Sequence, residues 1–208
     1  MKRRLAALLL MIFALFLTAC GEKSAESETR TVYAMDTVMN LTVYGEKAAS
    51  ALENAEKELH TLDESVLSRT AEGSELYALN AANGETVIYG ADDALPALIE
   101  AALTISDATN GAFDPTLAPV LDAWGFTKDE HHVPSADELA ELLNHTGCGK
   151  VVLKKTADGY SVALSDGTQL DLGGIAKGYA ADVLRAQLEK EGITSATLDL
   201  GGDVFVMG

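Results

Sequence analysis

The segment at residues 170–184, LDLGGIAKGYAADVL, constrains the fold more than any other part of the sequence. An apolar stretch ends in an acid, two glycines follow, and a helical pattern then begins with a lysine in its first turns. A strand, a glycine turn and a helix in this order bring backbone N–H groups and a helix N-terminus to one place, which favours anion binding. The pattern is equally typical of a tight connection in which the glycines only supply unusual backbone angles. The segment alone leaves both interpretations open.

The start of the chain has the pattern of an export signal. A short basic stretch precedes an apolar run from Leu5 to Leu17, which is too short for a membrane-spanning helix. The run ends in small residues before Cys20, as in bacterial lipoproteins, and a plain secretory signal is the alternative. We therefore predict a signal peptide at residues 1–19, a lipidated Cys20 and a flexible tether at residues 20–30. The protein would then be anchored on the outer side of the cytoplasmic membrane.

The charge of the chain excludes some partners. The formal net charge is −17 at pH 7, and the basic residues of the predicted signal count toward it, so the mature chain is more acidic still. An acidic surface repels nucleic acid and anionic lipid head groups. A phosphate-containing ligand would therefore need local help from glycines, a helix dipole, a lysine or a metal ion.

The cysteines and histidines give little evidence of a reactive site. With Cys20 lipidated, Cys148 has no partner for an intramolecular disulfide, and we interpret it as a small turn or core residue rather than a nucleophile. His131 and His132 are adjacent, which does not fit the i, i+4 spacing of helical zinc ligands, so we expect a solvated loop there. The sequence contains no G-x-S-x-G elbow, no Walker loop and no complete G-x-G-x-x-G.

Hydrophobic periodicity predicts both helices and strands. The alternating segment at residues 31–45 predicts a strand pair or one bent strand. Helical spacing predicts helices at residues 46–66, 91–111, 135–147 and 174–191. Ser135 is the predicted N-cap of the third of these helices, and an apolar strand is predicted to run into Leu172.

Five blocks of the sequence resemble, in this order, the FAD:protein FMN transferases, also called ApbE-like flavin transferases. The blocks are AMDTVM, LSRTAEGSELYALN, TNGAFDPTLAPVLDAWGF, LDLGGIAKGYAADVL and TLDLGGDVFVMG. The resemblance runs from about Val32 to Gly208. It implies an α+β fold, with a mixed, largely antiparallel sheet and packed helices, in a flavin transferase domain at residues 31–208. Relatives continue with a segment that completes a metal site, so we expect the C-terminal part of the domain to be missing here.

The resemblance also implies an activity. Family members bind FAD with a divalent cation, usually Mg²⁺, and pass FMN to a threonine or serine hydroxyl of an acceptor protein, such as a membrane redox-complex subunit, with release of AMP. Some members instead hydrolyse FAD to FMN and AMP. Because the metal site is expected to be incomplete, a lipid-anchored FAD-binding protein without catalysis is a further hypothesis. A generic solute-binding lipoprotein would not explain the order of the blocks.

The resemblance implicates particular residues but assigns no catalytic residue. The implied FAD contacts are Met35, Thr70, Ala112, Phe113, Asp114, Asp171 and Lys177, and Gly174 would offer its main-chain carbonyl to the metal. Thr70 stands where relatives often carry an aromatic residue, and Asp36 replaces the glycine that usually follows the methionine. Lys177 also lies off the apolar stripe of its helix, which leaves it free to face a ligand.

Overall fold

A computed structural model describes residues 26–126 and 131–208. Seven strands are present in these residues: β1 (Ser27–Ala34), β2 (Thr37–Tyr44), β3 (Val87–Gly90), β4 (Val151–Lys155), β5 (Gly159–Leu164), β6 (Ala196–Asp199) and β7 (Val204–Met207). They are accompanied by six α-helices: α1 (Ala48–His60), α2 (Glu75–Ala81), α3 (Ala94–Ala108), α4 (Ala118–Trp124), α5 (Ala136–Leu143) and α6 (Gly173–Lys190). The expected α+β class is confirmed.

The strands form two separate antiparallel sheets. The first sheet has the order β1-β2-β6-β7, and the second has the order β3-β5-β4. Strand β1 begins at Ser27 and pairs with β2 along its whole length, so the end of the predicted tether is part of the sheet. The predicted signal peptide and Cys20 lie outside the described residues. Within the described residues no helix is long and apolar enough to cross a membrane.

A two-residue turn joins β1 to β2. Ala34 pairs with Thr37, and the turn residues Met35 and Asp36 have φ angles of 51° and 55°. Positive φ at both central residues is the requirement of a type I′ turn, whose twist matches that of the flanking strands. The predicted alternating segment is therefore a hairpin rather than one bent strand.

Helix α1 covers the inner face of the first sheet. Its buried residues, including Leu52, Ala55 and Leu59, pack against β1 and β2 through Val32, Met39 and other apolar side chains. The predicted helix extends beyond α1, but Thr61–Leu67 is π-helical. A π-helical turn is rare and is often found at functional sites. It carries Leu62 and Val66 into the core and leads directly into the loop at residues 68–70.

Helix α6 lies at the junction of two hydrophobic cores. Ala180, Leu184 and Leu188 belong to the core beneath the first sheet, whereas Leu172 belongs to the core formed by the second sheet with α2 and α3. Tyr179 contacts both cores. The N-terminal end of α6 is consequently held between the two halves of the domain.

The predicted strand before α6 is wrong. Residues 168–172 are in no strand and form a single bridge, between Leu117 and Gln169. The Asn80 side chain replaces a neighbouring strand, because its Oδ1 accepts from the Leu170 N–H at 2.8 Å and its Nδ2 donates to the Leu170 carbonyl at 2.9 Å. Leu170 and Leu172 are buried, which explains the strand-like apolar pattern.

The capped helix α5 is confirmed. The Glu138 N–H donates to Ser135 Oγ at 3.2 Å, as expected for an N-cap serine.

Candidate functional site

Three segments that are distant in the sequence enclose a cavity of about 190 Å³. They are the hairpin turn at residues 35–36, the π-helical turn with its following loop at residues 63–70, and the start of α6 at residues 171–177. Four of the predicted FAD contacts line this first cavity, namely Met35, Thr70, Asp171 and Lys177. The structure thus brings Met35 and Thr70, from the N-terminal part of the domain, next to Asp171 and Lys177, which come about 100 residues or more later in the chain.

The backbone of Met35 is held in a strained conformation. A non-glycine residue in the left-handed region costs about 1–2 kcal/mol. The Met35 N–H donates to Asp63 Oδ2 at 2.8 Å, which fixes the hairpin turn to the π-helical segment. Strain of this kind is concentrated at functional sites. Sequence reasoning did not single out Asp63, because only the π-helical turn directs it to the hairpin.

The Asp171 carboxylate is bonded on both oxygens. Its Oδ1 accepts from the Gly173 N–H at 2.9 Å, which satisfies one of the free N–H groups at the start of α6. Its Oδ2 lies 2.7 Å from Nε of Arg69. The carboxylate is therefore fixed by the protein, although it lines the first cavity.

Arg69 is a cavity residue that the sequence analysis missed. Its side chain is 10% exposed and contacts two carboxylates, Asp171 through Nε and Asp122 through Nη1 at 2.5 Å. One indication of its importance was present in the sequence: Arg69 is a basic residue beside Thr70 in an acidic chain, within one of the five resembling blocks. That signal does not reveal which acids Arg69 meets, because Asp122 and Asp171 are far from it in the sequence.

Lys177 lies between two cavities. It lines the first cavity and also a second, more open cavity of about 550 Å³. The second cavity is formed by Gly174 and Gly178 of α6, by Ile105 of α3 and by Asp203 before β7. Among the residues that the structure describes, no carboxylate lies within ion-pairing distance of Lys177, in contrast to Arg69. Lys177 is therefore a half-buried cation that lines both cavities without a described carboxylate partner.

Position 174 favours glycine because of a close contact with a neighbouring side chain and not because of its backbone angle. A Cβ at this position would lie 2.8 Å from Cε2 of Phe113, and the φ angle of Gly174 is not positive. The Phe113 ring therefore rests on the start of α6. This contact brings the predicted loop at residues 112–114 to the site.

Ala112, Phe113 and Asp114 line neither of the two cavities. Ala112 is exposed. Asp114 Oδ1 accepts from the N–H of Thr116 at 2.8 Å and from its Oγ1 at 2.6 Å, which is a local turn contact. The roles of these three residues in FAD binding stay predictions.

Cys148 is half-buried and has the environment of an unreactive thiol. Its Sγ donates to Ser106 Oγ at 3.2 Å. Burial raises the pKa of the thiol, and Asp114 nearby adds to this effect, so the nucleophilic thiolate is disfavoured at neutral pH. This agrees with its interpretation as a turn or core residue.

No group of three or more His, Cys, Asp and Glu side chains that could hold a metal ion occurs in residues 26–126 and 131–208. His131 Nδ1 lies 3.2 Å from the Gly125 carbonyl, and His132 Nε2 lies 3.2 Å from Glu138 Oε2, so neither histidine is arranged as a ligand. The described side chains therefore do not by themselves fit a protein-enclosed magnesium site.

Comparison with known proteins identifies the family of this chain. The sequence model of the ApbE family matches residues 35–208. The chain belongs to the ApbE family. Its expected resemblance to flavin transferases is thereby confirmed.

Individual members of the ApbE family agree in sequence and in structure. The chain is 34% identical over 198 residues to the FAD:protein FMN transferase of Treponema pallidum. This alignment covers 91% of this chain and 54% of the Treponema protein. The crystal structure of the ApbE protein of Thermotoga maritima superposes with a TM-score of 0.79 at 32% identity, over 88% of this chain and 59% of that chain. The apo flavinyl transferase ApbE of Pseudomonas stutzeri superposes with a TM-score of 0.76 at 27% identity, over 88% and 58% of the two chains. The chain thus spans little more than half the length of these proteins.

Proposed function

We propose that this protein transfers the FMN part of FAD to a threonine or serine hydroxyl of an acceptor protein and releases AMP. One observation carries the proposal: Met35, Thr70, Asp171 and Lys177, which the resemblance implicates in FAD contact, line one cavity although they come from three distant segments. Membership of the ApbE family and the names of its relatives support the same reaction.

The residues around α6 suit a pyrophosphate substrate. In the proposed step the acceptor hydroxyl attacks the phosphorus of the FMN half and passes its proton to water. The bond from this phosphorus to the bridging oxygen breaks, and AMP leaves with that oxygen. Negative charge on the phosphate oxygens must be neutralised, and preorganised cations and N–H groups do this best. Lys177 and the N-terminus of α6 would supply both, which answers the need for local positive charge in an acidic protein.

Magnesium dependence is part of the proposal. Mg²⁺ keeps several waters and is commonly held by one or two carboxylates together with substrate phosphates. The described residues offer no set of three side-chain ligands, so we derive no step through the ion. Gly174, whose main-chain carbonyl is an oxygen donor, and the carboxylate residues Asp182 and Asp203 line the second cavity and have chemistry that suits a partial site.

The proposed location is the outer side of the cytoplasmic membrane, with Cys20 as the lipid anchor and a membrane redox-complex subunit as the type of acceptor. The sequence pattern before Cys20 supports the anchor, and the resemblance to flavin transferases implies the type of acceptor. Metabolic labelling with a fatty-acid analogue tests it: the wild-type protein should carry the label and Cys20→Ser should not. Label on the variant would refute the anchor.

The activity is tested by incubating the complete protein with FAD, Mg²⁺ and a purified acceptor that carries a reactive threonine. The acceptor should gain the mass of FMN, AMP should appear in equal amount, and EDTA should stop both. Lys177→Ala should reduce the rate at least about tenfold, because a charge-assisted contact to phosphate is lost. Lys190→Ala, at the other end of α6, is the matched control and should leave the rate unchanged.

The same assay separates the alternatives. AMP and free FMN without modification of the acceptor would indicate an FAD pyrophosphatase. FAD binding without AMP release would indicate a lipid-anchored binding protein, a candidate favoured by the absence of a three-ligand metal group in the described residues. Absence of FAD binding would refute the proposal altogether.

A further inference from the structure

The guanidinium of Arg69 joins three segments at the wall of the first cavity. Its own loop follows the π-helical turn, Asp122 belongs to α4, and Asp171 precedes α6. A guanidinium carries its N–H donors in one rigid plane, so it can hold two carboxylates in fixed relative positions. With a side chain only 10% exposed, Arg69 is itself well fixed.

Arg69 acts on α6 through a single carboxylate. Asp171 Oδ2 contacts Arg69, and Asp171 Oδ1 accepts from the first N–H of α6, that of Gly173. Without the guanidinium, the partly buried carboxylate would lose its positive partner and would turn toward water in the cavity, because an unpaired charge is costly where water is scarce. The contact to Gly173 would then weaken.

We propose that Arg69 is a positioning residue for the FAD site: it orients Asp171 and, through it, the start of α6, whose second turn carries Lys177. This inference rests on the proposed function. A lysine cannot replace Arg69, because one ammonium group cannot hold both carboxylates in a planar arrangement. Arg69 itself does not need to touch FAD.

The test compares FAD binding by wild-type protein and variants, measured by isothermal titration calorimetry. Arg69→Ala and Arg69→Lys should each raise the Kd for FAD at least about tenfold, as expected when one partner of a partly buried charge pair is lost. Arg30→Ala is the matched control. Arg30 is likewise an ion-paired arginine, with one carboxylate partner at 2.5 Å, but it lies on β1 and lines neither cavity. This variant should leave the Kd unchanged. Arg69→Lys retains the charge and serves alone if Arg69→Ala does not fold.

A double variant distinguishes positioning from direct contact. Because Arg69 acts through Asp171, Arg69→Ala combined with Asp171→Asn should bind FAD no more weakly than the weaker single variant. Additive losses would mean that Arg69 contacts FAD independently and would overturn the inference. An unchanged Kd in Arg69→Ala and Arg69→Lys, with normal binding by the wild type, would overturn it as well.

Hydrogen exchange gives a second measurement that does not require FAD. Exchange of the Gly173 amide should be faster in the Arg69 variants than in wild type or Arg30→Ala. If wild-type protein fails to bind FAD, the proposed function is refuted, and this exchange still decides the positioning: faster exchange supports it, and equal exchange overturns it.

Discussion

Two glycines four residues apart in α6 allow the contact between Phe113 and Gly174 to be measured directly. A Cβ at Gly174 would lie 2.8 Å from the Phe113 ring, whereas a Cβ at Gly178 would have no atom within 4 Å. Neither glycine has a positive φ angle. Replacement of a helical glycine by alanine stabilises by about 1 kcal/mol through backbone entropy and helix propensity. Gly178→Ala should therefore raise the free energy of unfolding by about this amount.

Gly174→Ala should behave differently. It gains at most the same stabilisation from helix propensity, but the added methyl group must displace the Phe113 ring. That ring packs against the core formed by the second sheet with α2 and α3. Overpacking of this kind costs about 1–3 kcal/mol, so the two alanine variants should differ by about 1–3 kcal/mol in unfolding free energy. Urea unfolding followed by circular dichroism measures the difference.

A third variant tests the cause of this difference. In a Phe113→Leu background, the smaller side chain leaves room for the methyl group, so the two alanine substitutions should have nearly equal effects. If Gly174→Ala stabilises the wild-type protein as much as Gly178→Ala does, the reasoning about the ring contact is refuted.

Three further predictions concern other parts of the domain. Asp36→Gly should stabilise the protein by up to about 1 kcal/mol, because glycine adopts the positive φ angle of the hairpin turn without strain; a lower thermal midpoint would contradict this. Burial and the nearby Asp93 raise the pKa of the Glu75 carboxyl above its usual 4.5, so the folded protein binds more protons than the unfolded chain above that pH, and stability falls as the pH rises through this range. Glu75→Gln should stabilise the protein at neutral pH and should reduce the fall of its stability with pH above 4.5, measured by urea unfolding; an unchanged slope would refute the assignment. Since burial raises the pKa of the Cys148 thiol, a thiol reagent should modify it at pH 7 much more slowly in the folded than in the urea-unfolded protein; equal rates would contradict the burial argument.

The arrangement of the domain explains why the site lies at the start of α6. The helix is buried between the cores of two sheets, so its position is fixed by apolar contacts along Ala180, Leu184 and Leu188. Its first turn emerges where the hairpin, the π-helical turn and the loop that carries Phe113 meet. The N-terminal end of this well-packed helix therefore lies between the two cavities.

Local patterns in the sequence determined much of the secondary structure. The N-cap at Ser135, the alternation in β1 and β2, and the apolar stripe of α1 act over a few residues, and each was predictable because the interactions are local. The π-helical turn after α1 was not predictable, since its residues have ordinary helical spacing and the change of winding depends on packing against α2 and α6.

The order of the resembling blocks also determined the family, and the resemblance named residues that line the first cavity. Met35, Thr70, Asp171 and Lys177 were all named from the sequence, and the fold places them around one cavity. The resemblance does not show which of the named residues line a cavity: it named Asp114 together with Lys177, and only Lys177 lines one of the two cavities.

Only the tertiary structure decided which contacts hold the site together. The segment before α6 was apolar enough to predict a strand, but Asn80 provides the hydrogen bonds of the missing neighbour. Arg69 forms ion pairs with Asp122 and Asp171 because three separate segments come together in the fold, and no pattern along the chain predicts this. Side-chain pairing across long sequence distances depends on the packing of whole elements, whereas helix caps and strand alternation depend on residues a few positions apart.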